Sequence, residues 1–374
     1  MVTAAAAVAA VGTVAGLLSA LDRGGGDGDS ARPTASPVPS RVPLPAVPSA
    51  TPTADSPSPA RSSARPEPGP TKPTAGRPAP STAPPAPAGL YRYGGSQVLD
   101  WVRAHPSDPR RPLIESRIAA RPAAVWFADF TLDTIASRVR AVTSGAARAG
   151  RVPVVVAYAI PMRDCGGASD GGAPGIGAYD EWIDRFAAGL RSHEVIVILE
   201  PDALSQTECL SGRQRAERYA ALARAGRVMK TANPRARVYY DAGHSDWNPA
   251  GAQAARLRAA GAAAPASSDG VFTNVSNFNR SEDEIAYARR VLSAMDAPDS
   301  LGAVVDTSRN GNGAAPGGAW CDPAGRRIGQ PPTLATGRSR IDAYLWVKLP
   351  GESDGCKGEP GTFAPGYAYE LAAG

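Results

Sequence analysis

Between residues 90 and 374, short apolar runs alternate with longer segments in which apolar residues recur at helical spacing. The run VIVIL at 195–199 is typical, since it is apolar throughout and stops at Glu200 and Asp202, as expected of a parallel strand buried on both faces. The alternation predicts seven strands, at residues 124–128, 152–159, 195–199, 237–240, 270–272, 303–305 and 344–347. Helical patterns lie between them, at about 132–149, 178–192, 212–232, 250–260 and 281–296. Seven strands with helical crossovers predict an α/β fold, a distorted and nearly closed parallel β/α barrel.

Polar side chains follow nearly every predicted strand. In chain order they are Asp129, Arg163 with Asp164, Glu200 with Asp202, Asp241 with His244, Asn274 with Asn277, Asp306, and Lys348 with Glu352 and Asp354. One acid after a strand is about as often a helix cap as a functional group. The carboxyl ends of barrel strands, however, meet at one rim, where active sites lie. Carboxylates gathered there raise the pKa of at least one of them, which provides a neutral acid beside an ionised base.

This set of side chains predicts glycoside hydrolysis, in which two carboxyl groups act without a metal or cofactor. Trp126, Trp247 and Trp320 lie beside the same loops, and although a tryptophan is more often part of a core, its ring suits stacking against a sugar. The chain has three histidines and no Cys/His cluster at ligand spacing, so we expect no metal site. It also lacks a Gly-rich phosphate fingerprint after the first strand and the G-x-S-x-G elbow of serine hydrolases, and we expect no cofactor.

The first 89 residues have a different composition. Residues 1–21 are an uncharged run rich in Ala, Val, Leu and Gly, which fits a signal peptide or a signal anchor, and we favour the export signal. Residues 22–89 contain 18 of the 37 prolines and no Trp, Tyr, Phe or Cys. Such a segment buries too little apolar surface to fold, which predicts a disordered Pro/Ala/Ser/Thr-rich linker. The catalytic domain, 90–374, is therefore expected outside the cytoplasm, secreted or held at the membrane only through 1–21.

Charge and cysteine content narrow the choice of partners. The formal net charge is +5, but the basic residues form no block with interleaved aromatics, so we expect no nucleic-acid partner. Four cysteines at 165, 209, 321 and 356 allow three disulfide connectivities, or four buried thiols. Export favours disulfides.

Seven segments of the predicted domain, and the opening DWVRAHPSDPRRPLI, carry a specific resemblance. They are VVVAYAIPMRDCGG (154–167), VILEPDALS (197–205), YYDAGHSDW (239–247), TNVSNFN (273–279), VVDTSRNGNG (304–313), AWCDPAGRRIG (319–329) and LWVKLPGESDGC (345–356). Together they resemble glycoside hydrolase family 6, the inverting cellulases, over the whole of 90–374 and in order. The resemblance implies action on β-1,4-glucans such as cellulose and cello-oligosaccharides, and the disulfides Cys165–Cys209 and Cys321–Cys356.

The resemblance also assigns catalytic roles to residues of this sequence. Asp202 is similar to the general acid that protonates the glycosidic oxygen. Asp164 resembles the neighbouring carboxylate that raises the pKa of the acid and stabilises the oxocarbenium-like charge. Asp354 matches the proposed general base, which takes the proton of the attacking water directly or through a chain of water molecules. Tyr158 matches a tyrosine beneath the distorted sugar, and Asp241 an accessory acid.

Substrate contacts follow in the same way. The resemblance implies contacts with sugar hydroxyls for His244, Asn274, Asn277, Lys348 and Glu352, and stacking platforms at Trp126, Trp247 and Trp320. An inverting site also needs its acid and base about 6.5–9.5 Å apart, so that a water molecule fits between them.

One position departs from the family pattern. Six residues after Asp164 the family usually has a serine that positions the attacking water, and here that residue is Asp170, preceded by Ser169. Either the motif is shifted by one residue on a Gly-rich loop, or Asp170 takes over the water, or activity is reduced.

The mode of action depends on the loops above the site. The segment 312–340 is short for a loop that roofs a tunnel, and the GESDGC segment runs quickly to the terminus. An open cleft and internal cleavage of the glucan are therefore expected, by a monomer. The alternatives are a cellobiohydrolase of the same family, or a glucan-binding protein with reduced or lost activity.

Overall fold

The computed structural model describes residues 89–374, so the predicted leader, and the predicted linker up to residue 88, lie outside the described residues. The strands are β1 Val125–Phe127, β2 Val154–Ala157, β3 Val195–Leu199, β4 Ala236–Asp241, β5 Gly270–Thr273, β6 Gly302–Asp306 and β7 Ile341–Leu345. The helices are α1 Gln97–Ala104, α2 Arg111–Ile114, α3 Leu132–Arg148, α4 Ile176–Gly189, α5 Gly212–Ala232, α6 Ala250–Ala259, α7 Ser281–Ala294 and α8 Pro365–Ala373. No helix within 89–374 combines the length and apolar character needed to cross a membrane.

All seven strands are parallel and pair in chain order, from β1 at one end of the sheet to β7 at the other. The curled sheet brings these two ends close together. Ala124 N–H donates to Trp346 O over 2.9 Å, and the indole Nε1–H of Trp126 donates to Val347 O over 2.8 Å. The predicted α/β fold, a nearly closed parallel β/α barrel, is confirmed.

Successive residues of each strand face two different cores. In β2, Val155 and Ala157 pack outward with Trp182 of α4, whereas Val154 and Val156 belong to the apolar interior of the barrel. Since both faces are apolar, the strand reads as an unbroken hydrophobic run. The inner row continues to Tyr158, which is 5% exposed and lies where the sheet gives way to the site.

The predicted strands and the five predicted helices match β1–β7 and α3–α7 to within a few residues. Three helices were not predicted, because α1, α2 and α8 are short and come from the two ends of the domain. They pack together around Trp346 and Leu349, beside the seam between β1 and β7. Residues 307–340, between β6 and β7, form no α-helix and contain one 3₁₀ turn, at Pro316–Gly318.

Candidate active site

A cavity of about 880 Å³ lies where the loops after the strands meet. Fourteen of the fifteen side chains predicted for catalysis, water positioning or substrate contact line it. They are Trp126, Tyr158, Asp164, Ser169, Asp170, Asp202, Asp241, His244, Trp247, Asn277, Trp320, Lys348, Glu352 and Asp354. The loops of a parallel barrel thus bring together residues that are more than 220 positions apart in the chain.

Asn274 is the exception, because its side chain is fully buried beneath the cavity. Its Nδ2 donates to Asp306 O over 2.9 Å and to Asn279 O over 3.2 Å, and its Oδ1 accepts from Asn279 N–H over 3.0 Å. Its φ of +67° is a left-handed conformation that Asn tolerates better than most residues. Asn274 therefore shapes the turn after β5, and Asn277 of the same turn faces the cavity instead.

Glu200 and Asp202 follow β3 but point to different places. Glu200 is fully buried, and its carboxylate accepts the backbone N–H groups of Ala159 and Ile160 at 2.9–3.0 Å. Burial outweighs these hydrogen bonds and raises the pKa of Glu200 to about 7. Glu200 thus fixes the end of β2, whereas Asp202, with φ of +69°, lines the cavity. The sequence pattern placed both carboxyls at the rim, and for Glu200 this was wrong.

The loop after β2 carries Asp164 and is held by the residue before it. Arg163 donates through Nη1 to Ala128 O over 2.6 Å and to Tyr158 O, and through Nε to Ser169 O over 2.7 Å. Asp164 has a φ of +54°, and its Oδ2 accepts Ser169 N–H over 2.7 Å. The arginine and this hydrogen bond therefore stabilise a strained turn with Asp164 facing the cavity.

Asp202 lies in the most acidic part of the site. Burial, followed by the charges of Asp241 and Asp164, raises the pKa of Asp202 well above its usual value, and Lys348 opposes the shift. Asp241 is itself buried, and accepts the N–H groups of Leu204 and Ser205 through Oδ2 and of Gly243 through Oδ1. Asp202 is therefore the carboxyl of this cluster that is best suited to retain a proton.

Asp354 is surrounded by positive charge. Arg309 Nη1 lies 2.7 Å from its Oδ2, and Lys348 Nζ lies 3.4 Å from its Oδ1. The side chain of Arg309 is fully buried, that of Asp354 is 8% exposed, and Lys348 also lies 3.3 Å from Glu352. Two cations thus stabilise the negative charge of a nearly buried carboxylate.

Asp322 supports the same loop from below. It accepts the backbone N–H of Asp354, Cys356 and Lys357 and the hydroxyl of Ser353. Although burial alone would raise its pKa, these hydrogen bonds hold the pKa of Asp322 below the usual value. Neither Asp322 nor Arg309 was assigned a role from the sequence. Arg309, three residues after β6, was present in the motif DTSRNGNG but could be linked to Asp354 only through the fold.

Aromatic side chains line the remaining walls of the cavity. Trp126 packs edge-on against Tyr158, with ring centroids 5.3 Å apart. The ring centroids of His244 and Trp247 are 5.4 Å apart. Trp320 is 57% exposed and Trp247 36% exposed. Burial lowers the pKa of His244. Exposed indoles beside carboxylates give the cavity both apolar faces and hydrogen-bonding groups.

Two disulfides join loops at this rim, with the pairing that the resemblance implied. Cys165–Cys209 has a Cα–Cα distance of 5.6 Å and joins the loop of Asp164 to the loop of Asp202. Cys321–Cys356, with a Cα–Cα distance of 5.8 Å, joins the neighbours of Asp322 and Asp354. Within residues 89–374, no group of three or more His, Cys, Asp or Glu side chains is arranged to hold a metal ion.

The chain is similar in sequence to one family of known proteins. The sequence model of the glycosyl hydrolases family 6 matches residues 92–368. Endoglucanase 1 of Streptomyces sp. (strain KSM-9) is 52% identical over 286 residues, which cover 76% of this chain and 78% of that protein. Endoglucanase A of Thermobispora bispora is 51% identical over 278 residues, 74% of this chain and 60% of that protein.

A solved structure shares the fold over the same region. The endoglucanase Cel6 of Mycobacterium tuberculosis, in complex with methyl-cellobiosyl-4-deoxy-4-thio-β-D-cellobioside, superposes with a TM-score of 0.71 at 38% identity. The match covers 77% of this chain and 97% of that one.

Proposed function

This chain belongs to family 6 of the glycosyl hydrolases, and on that premise we propose that it is an endo-β-1,4-glucanase that cleaves cellulose-type glucans with inversion at the anomeric carbon. One observation carries the proposal. Two carboxyls that face the same cavity have opposite surroundings. Asp202 is shielded from solvent beside the carboxylates of Asp241 and Asp164, whereas Asp354 lies between the cations Arg309 and Lys348. Such an asymmetry is what separates a general acid from a general base.

Each residue takes its role from its surroundings. Asp202 donates its proton to the glycosidic oxygen as the bond breaks, and the nearby carboxylate of Asp164 stabilises the positive charge that develops on the sugar ring. A water molecule attacks the anomeric carbon from the opposite face, and Asp354 receives its proton. The carboxylate of Asp241, which accepts three backbone N–H groups, raises the pKa of Asp202 and favours its protonated form.

The remaining residues hold the glucan. Trp126, Trp247 and Trp320 offer ring faces to successive sugars, and Tyr158 lies between the first of them and the acidic cluster. His244, Asn277, Lys348 and Glu352 provide donors and acceptors for sugar hydroxyls. Several aromatic platforms along one cavity suit a polymer more than a small glycoside.

Internal cleavage is supported by the exposure of the loops around the cavity. Residues 166–170 are exposed, and so are residues 316–320, which include Trp320. Side chains that roof a tunnel would bury each other, so these exposures fit an open cleft that admits the middle of a chain. The two disulfides fit action outside the cytoplasm, where such bonds persist.

The test compares viscosity with reducing ends on carboxymethyl cellulose. An endoglucanase lowers the viscosity well before reducing sugar accumulates, whereas a cellobiohydrolase changes the two in parallel. Asp202→Ala serves as the control. A glucan-binding protein without activity would give equal, negligible turnover in the parent and in the variant, and that result would refute the proposed hydrolysis.

A further inference from the structure

Arg218, in the N-terminal half of α5, is a buried arginine with an unusual set of partners. Only 3% of the residue is exposed. Its Nη2 donates to Pro161 O over 2.7 Å and to Met162 O over 3.0 Å, and its Nη1 donates to Ala203 O over 3.3 Å and to Gln206 O over 3.5 Å. One guanidinium group thus contacts four backbone carbonyls and forms no ion pair among the residues described.

Those carbonyls belong to the two loops that carry the acidic cluster. Met162 lies two residues before Asp164, and Ala203 directly follows Asp202. Three of these residues, Met162, Asp164 and Asp202, have φ between +54° and +69°. Left-handed backbone costs about 1–2 kcal/mol for a residue of this type, so such turns persist only where their surroundings hold them.

We propose that Arg218 is a positioning residue, which holds the two loops together and thereby sets the place of Asp164 relative to Asp202. This inference rests on the hydrolytic function proposed above, because it concerns the two carboxyls of that site. The planar guanidinium has donors on both sides and reaches one loop with each terminal nitrogen. The ammonium group of a lysine has three donors on one atom and cannot span both loops in the same way.

The placement matters because the two loops determine the protonation of Asp202. Burial and the charges of Asp241 and Asp164 raise its pKa, and the charge of Lys348 lowers it. If Arg218 is lost, the four carbonyls lose their donors and the loops separate at their inner ends, while the Cys165–Cys209 disulfide still joins their outer parts. Water then enters and the charge of Asp164 acts from farther away, which lowers the pKa of Asp202. Loss of the Arg218 charge by itself acts in the opposite direction, and Arg218→Lys keeps that charge, so a lower pKa in Arg218→Lys reports the position of the loops.

The test uses Arg218→Met and Arg218→Lys, with Arg224→Met as the matched control. Arg224 lies on the same helix but binds Asp184 at the surface. For the parent and each variant, kcat, KM and the pH dependence of kcat are measured on cellotetraose. We expect Arg218→Met to lower kcat by about 100-fold, as a displacement of about 1 Å does, with KM within about threefold. The basic limb of the pH profile of Arg218→Met shifts to lower pH. Arg218→Lys lies in between, and Arg224→Met behaves like the parent.

A measurement that does not depend on turnover tests the role of Arg218 separately from the proposed hydrolysis. The carboxyl carbon of Asp202 is titrated by ¹³C NMR in the parent and in both Arg218 variants, after near-UV circular dichroism has shown that each is folded. A lower Asp202 midpoint in the variants supports the role of Arg218, even if the parent hydrolyses no glucan. Arg218→Lys is used alone if Arg218→Met does not fold. Folded variants with parental midpoints and parental kcat would overturn the inference.

Added guanidinium gives a further check. In Arg218→Ala, guanidinium chloride at tens of millimolar is expected to restore part of kcat, and sodium chloride at the same ionic strength is not. Equal effects of the two salts would count against a local role for the guanidinium group.

Discussion

The loop that carries Asp202 and the loop that carries Asp354 face one cavity but hold their carboxyls in opposite ways. Asp202 is surrounded by other acids, and its loop is bound through backbone carbonyls to Arg218 and through backbone N–H groups to Asp241. Asp354 lies in a cluster of ion pairs with Arg309 and Lys348. One side of the cavity therefore favours a bound proton, and the other side favours a negative charge. A barrel can thus create an acid and a base from the same residue type by the choice of neighbours.

Removal of the proton on the acidic side has the largest expected effect. Asp202→Asn keeps the shape of the side chain but cannot donate the proton, and kcat on cellotetraose is expected to fall by about 10³- to 10⁴-fold. Binding of the substrate, measured by calorimetry, should change little, because the amide preserves the size of the group. A variant that retains more than about a tenth of parental kcat would contradict the assignment of Asp202 as the acid.

Removal of a cation on the basic side tests the other half of the comparison. Arg309→Met leaves the nearly buried Asp354 with one cation fewer, and breaking such a pair costs about 3–5 kcal/mol. Denaturant unfolding measures this loss. As a control, Arg338→Met removes an arginine that pairs with Glu282 at the surface and should cost less than about 1 kcal/mol. Similar losses in the two variants would mean that the ion-pair cluster does not stabilise this loop.

Glu200, which binds the backbone at the end of β2 on the same side as Asp202, makes the stability of the fold depend on pH. Its pKa is about 7 in the folded protein against 4.5 ordinarily, so the folded state binds the proton more tightly. Its contribution is complete below about pH 4.5 and is lost as pH rises through 7, a change of about 3 kcal/mol in the free energy of unfolding. Glu200→Gln should remove this part of the pH dependence, and the exposed Glu217→Gln should not. Identical pH–stability curves for the parent and Glu200→Gln would refute the raised pKa of Glu200.

The smallest effect is expected at the position that departs from the family pattern. Asp170 is exposed, and its Oδ1 accepts the N–H of Gly171 over 2.8 Å. If Ser169 positions the nucleophile, Asp170→Ser should change kcat by less than about fivefold, and Ser169→Ala should lower it more. If Asp170 itself holds the water, the order of the two variants is reversed. Steady-state kinetics on cellotetraose distinguishes the two.

The fold was predictable because each strand reads as an apolar run and each helix as a periodic one. The seven strands and five helices follow from that pattern to within a few residues, but α1, α2 and α8 do not, since they have 8, 4 and 9 residues and are too short to show a clear helical period. The site was predictable as a set of residues and less so as a set of contacts. Glu200 and Asp202 look alike in sequence, and only the direction of each side chain separates an anchor of β2 from a cavity residue.

Contacts between distant residues were beyond the reach of the sequence. Arg309 and Asp354 are 45 positions apart, and Arg218 is 56 positions from Met162. A buried arginine on a helix looks the same in sequence as an exposed one. Asn274 was expected to contact the sugar but lies beneath the cavity, because a short polar residue in a turn binds the backbone as readily as a ligand.

In the proposed mechanism, Asp202 and Asp354 act on one sugar bond from opposite sides, with a water molecule between them. The anomeric form of the first product, followed by ¹H NMR during hydrolysis of cellotetraose, tests it most directly. Inversion of a β-glucosidic bond predicts that the α-anomer appears first and then mutarotates. Initial release of the β-anomer would mean retention through a covalent intermediate, and would contradict direct attack by water between Asp202 and Asp354.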